Sequence, residues 1–330
     1  MPNKEDMRWF KEQFGEKMKA ELEGTPFSID FMTALACQET GEVWPILRKK
    51  NLSLDRIVEL CVGDTIDFNP DTGKGRKAFP KNKAALVAVP NGQRMFEIAR
   101  AALVEMAEFI PSYQGAAAKP NKFCHGFGVF QFDLQFFESG HPESEPEYFL
   151  ERQYADFNAC LRKALKELRS AAKKIGLQNK PTLTDLEMVH VAIAYNTGGF
   201  NPAKGLKQGF APKDKHGNII GPFYGEQVLA FLQTAKTAAV SGGGSAGGGS
   251  TPPTSTVPLF KVTSNDPLRL RSTPAKDENN PNSNVIAKLP NGHTVRAISG
   301  QPINGFLEIE TDFEGQHLTG FASAQFLKAV

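Results

Sequence analysis

A run of small and flexible residues, SGGGSAGGGSTPPTST at positions 241–256, divides the chain into two unequal parts. Gly/Ser runs form flexible linkers, and the Pro and Thr residues that follow stiffen the end of this one. Because 330 residues exceed the usual size of a single domain, two domains are expected. We therefore predict a first domain over residues 1–239, a linker over 240–257 and a second domain over 258–330.

The longer part has helical periodicity. Its first segment repeats an apolar residue every four positions, at Phe10, Phe14, Met18 and Leu22, and predicts an amphipathic helix over residues 4–23. Further helices are predicted over residues 52–61, 95–109, 184–195 and 222–238, and one or two over 146–177. A polar loop is predicted over 63–82, and the glycines and aromatics of 124–132 indicate a tight turn.

The shorter part has short alternating runs instead. They predict strands at residues 260–262, 268–271, 285–289, 294–298, 306–309 and 317–321. Pro290-Asn291-Gly292 supplies a turn signal between two of them. The expected fold class is therefore a mainly α domain joined by the linker to a small all-β antiparallel barrel.

Charge and composition exclude several classes of protein. The 38 basic and 36 acidic residues give a net charge of +2, which provides no electrostatic signal for nucleic-acid binding. No apolar stretch reaches the length of about 18 residues that a membrane span needs. The N-terminal segment has no apolar run typical of a secretory signal, so we expect synthesis in the cytoplasm without one.

Four cysteines, Cys37, Cys61, Cys124 and Cys160, lie in the first half of the chain without CxxC or His spacing. This pattern argues against a zinc site, and no metal or cofactor is predicted. Disulfides formed after export and buried free thiols both remain open, with buried thiols favoured.

Glu39 lies at the C-terminal end of an apolar segment that begins near Phe27. We expect its helix to start with Thr25 as N-cap and Pro26 in the first turn. Phe31 and Leu35 precede Glu39 at i−8 and i−4, so the carboxylate shares their face. Burial there would raise the pKa of Glu39 and let it act as a proton donor near neutral pH. The alternative is a solvated glutamate at a helix end.

Three stretches of the first part form an ordered set: Gln38-Glu39-Thr40, Gly128-Val129-Phe130-Gln131 and Ala194-Tyr195-Asn196-Thr197-Gly198. In this order they resemble the signature motifs of soluble lytic transglycosylases and goose-type lysozymes. The resemblance implies a lysozyme-like domain that cleaves the MurNAc-GlcNAc β-1,4 bond of peptidoglycan glycan strands by lytic transglycosylase or muramidase chemistry.

The resemblance also implies a role for each matched residue. Glu39 would be the catalytic acid and base, and Tyr195 and Asn196 would orient it and the substrate. Substrate would be bound by Gln131 and by the backbone of Gly128, Val129 and Phe130. Thr40 and Phe130 stand where the families have Ser and Met.

Glu39 and Gly128 lie 89 residues apart, many more than in the families. We interpret residues 45–122 as an insertion that forms part of the cleft. A second carboxylate is offered by Glu42, Asp64 or Asp67. Glu42, three residues beyond Glu39, would lie beside it on a helix and raise its pKa, whereas the two aspartates are also typical of turn caps.

The second part resembles the bacterial SH3-like barrels appended to cell-wall hydrolases. The matching stretches are residues 268–274, 285–292 and 320–323, together with Phe326-Leu327. Leu270, Thr273, Phe306 and Phe321 are departures from the usual pattern. The resemblance implies a wall peptide as a ligand, and a spacer or a protein-docking module is the alternative.

Other functions remain open at this stage. A chitinase-like or chitosanase-like hydrolase would share a lysozyme-like core, and a non-catalytic wall-binding adaptor would keep the cleft without the chemistry. A wall enzyme without an export signal would be a phage endolysin or a secreted antibacterial effector that reaches the cell wall or periplasm by non-classical delivery. An immunity protein or secretion machinery would then be a partner.

Overall fold

The computed structural model describes residues 1–66, 68–69, 74–138, 140–141, 144–239, 259–264, 266–271, 274–276, 280–282, 284–297, 302, 305–314 and 316–330. The chain divides into two compact units, Met1–Gly243 and Gly244–Val330. The predicted linker, residues 240–257, lies outside the described residues, as do Asp67 and Thr273.

Helices dominate the first unit. They are α1 (Lys4–Leu22), α2 (Ile29–Thr40), α3 (Trp44–Leu47), α4 (Leu54–Glu59), α5 (Lys83–Val87), α6 (Gly92–Ala107), α7 (Pro111–Ala117), α8 (Pro146–Leu150), α9 (Phe157–Lys174), α10 (Asp185–Thr197) and α11 (Tyr224–Thr237). The predicted helices are confirmed, and the segment over 146–177 contains two helices joined by a short 3-10 turn. A helix long and apolar enough to span a bilayer is absent from the described part of the chain.

Helix α2 forms the centre of this unit and packs against α1, α10 and α11. Its apolar residues from Phe31 to Cys37 are buried on most sides of the helix. The helix begins later than predicted, because Ser28 rather than Thr25 accepts a hydrogen bond from the amide of Phe31 and is the N-cap. The hydroxyl of Thr25 instead donates to Leu22 O at the end of α1.

A small antiparallel sheet lies beside the helices. Strand β1 (Val62–Thr65) pairs with β4 (Cys124–Phe127), which pairs with β5 (Phe132–Asp133), while β2 (Phe68–Asn69) and β3 (Lys74–Gly75) form a separate pair. The loop predicted over 63–82 is therefore wrong where it includes part of β1 and the β2–β3 pair. The tight turn predicted in 124–132 is confirmed as the connection between β4 and β5.

The second unit consists of strands. Along the chain these are β6 (Leu259–Val262), β7 (Leu268–Arg271), β8 (Val285–Leu289), β9 (Thr294–Ala297), β10 (Phe306–Phe313), β11 (Gln316–Ser323) and β12 (Leu327–Ala329). Their order in the antiparallel sheet is β12-β6-β9-β10-β11-β7-β8. Inward residues such as Val262, Leu270 and Ile309 form its apolar core. The six predicted strands are confirmed over the described residues, Ile298 at the predicted end of one lies outside them, and β12 was not predicted.

All four cysteines are buried and free. Burial raises the pKa of each thiol, which keeps it protonated and unreactive. Of the two states that the sequence left open, the structure has buried thiols.

Candidate active site

Glu39 lies in the last turn of α2 with a half-buried side chain. Its Oε1 accepts a hydrogen bond of 2.6 Å from the hydroxyl of Tyr224. Burial raises the pKa of Glu39 to about 8, the hydrogen bond from Tyr224 lowers it in part, and the charge of Asp64 raises it further. The expected effect of burial on this carboxyl is confirmed, and the side chain is not a solvated helix-end glutamate.

The turn that joins β4 to β5 runs from Gly128 to Gln131, with Gln131 N donating to Gly128 O over 2.9 Å. Gly128 has φ +77° and Gln131 has φ +53°, so the turn needs the left-handed region twice. A Cβ on Gly128 would lie 2.5 Å from Sγ of Cys160. Both the backbone angle and the close packing therefore require glycine at this position.

Two hydrogen bonds connect this turn to the other two sequence motifs. The hydroxyl of Thr40, which follows Glu39, donates to Val129 O over 2.7 Å. The hydroxyl of Tyr195 donates to Phe130 O over 2.6 Å. Three segments that are far apart in the sequence are thus joined at one place.

Val129 and Phe130 have buried side chains, with 1% and 2% of their surface exposed. Their carbonyl groups accept the hydrogen bonds from Thr40 and Tyr195. The described contacts of these two residues therefore hold the turn against α2 and α10.

Gln131 extends over two glycines of the neighbouring strands. A Cβ on Gly63 would lie 2.7 Å from Oε1 of Gln131, and one on Gly126 would lie 2.2 Å from it. Gly63 and Gly126 pair across β1 and β4, so their missing side chains leave room for the amide. Nε2 of Gln131 donates to Gly128 O at 2.9 Å, with Cys61 O a second acceptor at 3.4 Å.

Tyr195 and Asn196 lie in the last turn of α10, which Gly198 ends with φ +82°. Burial raises the pKa of Tyr195 well above its usual range, and the charge of Glu39 adds to this effect. Asn196 has an exposed side chain. Its Oδ1 lies 3.0 Å from the position of a Cβ on Gly209, which belongs to the loop before α11.

Tyr224 is a site residue that sequence reasoning missed. It is the first residue of α11 and is 3% exposed. The sequence predicts the helix, but no motif or spacing distinguishes this tyrosine from a core residue. Its partner Glu39 is 185 positions away, so only the packing of α11 against α2 brings the two together.

The three candidate second carboxylates have different positions. Glu42 is exposed and lies beyond α2, which ends at Thr40, so the prediction that it lies beside Glu39 on a helix is wrong. Asp64 is an exposed residue of β1 with φ +46°. The like charge that raises the pKa of Glu39 therefore comes from Asp64, within the segment 45–122. Asp67 lies outside the described residues.

Among the residues that the structure describes, no group of three or more His, Cys, Asp or Glu side chains could hold a metal ion. Comparison of the chain with protein-family models, curated proteins and solved structures found no match.

Proposed function

We propose that the first unit is a peptidoglycan-degrading glycosidase that cleaves the MurNAc-GlcNAc β-1,4 bond with Glu39 as the general acid. The observation that carries this proposal is the pair of hydrogen bonds that joins the three motifs, from Thr40 to Val129 O and from Tyr195 to Phe130 O. These bonds join the end of α2, which carries Glu39, and the end of α10 to the Gly-x-x-Gln turn.

Proton donation is the first chemical step. With a pKa of about 8, Glu39 is mostly protonated at neutral pH and can donate its proton to the glycosidic oxygen as the C1–O bond breaks. The carboxylate that remains is stabilised by the hydrogen bond from Tyr224. Burial therefore keeps Glu39 protonated before the reaction, and Tyr224 stabilises its carboxylate afterwards.

Two routes complete the reaction. In transglycosylation the Glu39 carboxylate accepts the proton of the muramoyl 6-hydroxyl, whose oxygen bonds to C1 and closes a 1,6-anhydro ring. In hydrolysis a second carboxylate either accepts a proton from the water that attacks C1, or bonds to C1 itself and is displaced by a water whose proton passes to the Glu39 carboxylate. Asp64 is the candidate for that role, since its charge reaches Glu39.

We further propose a lysozyme-like fold for this unit, with residues 45–122 as part of the cleft. In support, that segment contributes β1, which pairs with the strand leading into the Gly128–Gln131 turn. Gln131, Tyr195 and Asn196 would contact substrate in such a cleft. Gly128 shapes the turn that presents Gln131.

For the second unit we propose an SH3-like fold that attaches the enzyme to the wall. Its seven antiparallel strands around one apolar core are compatible with such a barrel. The whole chain would then act on the bacterial wall or periplasm, as a phage endolysin or a delivered antibacterial effector.

The decisive experiment compares the wild type with Glu39→Gln on purified sacculi. We expect release of soluble muropeptides to fall by roughly two to four orders of magnitude. Glu42→Gln is the matched control, because Glu42 is exposed and outside α2, and it should keep full activity. Undiminished release by Glu39→Gln would refute the proposal.

The products separate the remaining alternatives. Anhydro ends are lighter than hydrolysed ends by one water, so mass spectra distinguish transglycosylation from hydrolysis. Cleavage of chitin oligomers without cleavage of sacculi would indicate a chitinase-like enzyme instead. Tight binding to sacculi without any released muropeptide would indicate an adaptor.

A further inference from the structure

The second unit contains an open pocket with a volume of about 680 Å³. Three cationic side chains line it, those of Arg269, Arg271 and Lys276, whereas Asp266 is the one carboxylate among its described lining residues. The described lining therefore carries an excess of positive charge. These described residues all belong to the second unit.

The guanidinium of Arg271 is a buried positive charge in this pocket. Arg271 lies on β7 with only 4% of its surface exposed. Its Nη1 donates to Pro281 O at 2.9 Å and to Oδ1 of Asn284 at 2.7 Å, and both acceptors are neutral. Within the described residues no carboxylate forms an ion pair with this guanidinium.

Burying a charge without a counter-charge is costly, and proteins rarely do so without a reason. Here burial lowers the pKa of Arg271, and the nearby positive charge of Arg269 lowers it further. A guanidinium stays protonated in proteins, so the charge cannot be removed by titration. An anion in the pocket would compensate both the burial and the repulsion.

The form of the pocket indicates which anion fits. Nε and Nη2 of Arg271 donate to no described residue, which leaves part of its planar fork available for two oxygens of one acid group. Lys276 is exposed on the pocket lining and adds a point charge. Phe306 and Phe326 supply apolar surface beside these cations.

We propose that this pocket binds an oxyanion group, a carboxylate or a phosphate, through Arg271 and Lys276, with the apolar part of the ligand against Phe306 and Phe326. The proposal does not depend on the chemistry at Glu39, and activity on sacculi is not its readout.

The test is a titration of the ¹⁵N-labelled full-length protein, followed by NMR. Three probes are compared: N-acetyl-Ala-Ala with a free carboxylate, the same dipeptide with a C-terminal amide, and glycerol 3-phosphate. We expect an anionic probe to shift the Nε–H signal of Arg271 and the amide signals of the pocket residues. The amide probe should shift neither, and added salt should weaken the binding.

Variants locate the site. Because Lys276 is exposed and outside any described hydrogen bond, Lys276→Met should fold normally and weaken binding about threefold. Arg271→Met should weaken it roughly tenfold or more, provided that its melting curve shows a folded second unit. Lys328→Met is the control, because that lysine is exposed on β12 and does not line the pocket.

Each outcome decides the proposal. Stronger binding of the carboxylate dipeptide assigns a carboxylate ligand, and stronger binding of glycerol 3-phosphate assigns a phosphate ligand. Binding of the amide dipeptide as strongly as its acid would overturn the proposal. So would the lack of any pocket shift with both anions at millimolar concentration, or equal weakening by Lys276→Met and Lys328→Met.

Discussion

The hydroxyl of Tyr224 donates a 2.6 Å hydrogen bond to Oε1 of Glu39 and so joins the start of α11 to the end of α2. A hydrogen bond to the charged form of a carboxyl favours ionisation and opposes the effect of burial. The balance leaves Glu39 with a pKa of about 8. A carboxyl of this kind holds a proton at neutral pH and can still release it to a substrate.

Tyr224→Phe should shift the pH dependence of activity. Loss of the hydrogen bond removes the influence that lowers the pKa of Glu39, so the pKa rises. Because the acid form is required, the alkaline limb of the pH profile should move to higher pH than in the wild type. Tyr195→Phe is the control, since its hydroxyl donates to Phe130 O rather than to Glu39. A limb that moves to lower pH in Tyr224→Phe would contradict the assignment.

If the reaction is transglycosylation, which needs no second carboxylate, Asp64→Asn should keep activity and shift the same limb in the opposite direction. If Asp64 is the base or nucleophile of hydrolysis, the variant should instead lose activity at every pH. The charge of Asp64 raises the pKa of Glu39, so its removal lowers that pKa and activity is lost at a lower pH. Asparagine tolerates the φ of +46° at this position, so the backbone should stay in place. Since Asp64 is exposed, added salt should screen its charge and reduce the difference in limb pH between the variant and the wild type. Glu42→Gln should leave the limb unchanged.

The long periodic segments of the fold could be predicted from the sequence, and the short irregular ones could not. The period-four pattern ending at Leu22 predicts α1, whereas β1 contains Gly63 and Asp64, which have low strand propensity. This strand exists because it pairs with β4, about 60 positions later in the chain. Gly63, for example, lies opposite Gly126 in that pairing. Such distant pairing leaves no local signal.

The same distinction holds for the site. The spacing of Phe31, Leu35 and Glu39 indicates a buried carboxylate, and the structure gives it a raised pKa. Tyr224 and the electrostatic influence of Asp64 were not predicted, because each depends on packing between distant segments. Sequence motifs therefore indicated the candidate acid, but not the residues that shift its pKa.

Glu39→Gln should stabilise the protein in a pH-dependent way. The ordinary pKa of the carboxyl is 4.5 and its folded value is about 8, so between these values the folded state keeps a proton that the unfolded chain releases. The wild type therefore loses stability as pH rises through this range, at about 1.4 kcal/mol per unit of pKa difference at most. Glutamine does not titrate and keeps an acceptor for Tyr224.

Thermal unfolding at a series of pH values measures this effect. The melting temperature of Glu39→Gln should match that of the wild type below pH 4.5 and exceed it increasingly up to about pH 8. Glu42→Gln, at an exposed position, should show no such divergence. A constant difference at every pH would mean that the carboxyl of Glu39 does not have a raised pKa.

Thr40→Val tests the connection between α2 and the Gly128–Gln131 turn. Valine keeps the shape of threonine but leaves Val129 O without its donor at a buried position, which should cost about 1–3 kcal/mol in the free energy of unfolding. Thr40→Ser retains the hydroxyl and should lie closer to the wild type. Urea unfolding and sacculus digestion of both variants measure the effect. Equal loss in the two would show that the methyl group, not the hydroxyl, matters.

Gly63→Ala tests whether Gln131 contacts substrate. The new Cβ would lie 2.7 Å from Oε1 of Gln131, so the flexible amide must move away from its position over β1 and β4. We expect KM for a soluble glycan chain to rise several-fold while kcat and stability change little, since Glu39 and the core are untouched. Gly15→Ala, where a Cβ meets nothing within 4 Å, is the control.

A double variant tests whether Gly63→Ala acts through Gln131. In a Gln131→Ala background Gly63→Ala should have no further effect on KM, because the amide that the new Cβ displaces is already absent. An unchanged increase in that background would show that Gly63 acts through the strand itself and not through Gln131.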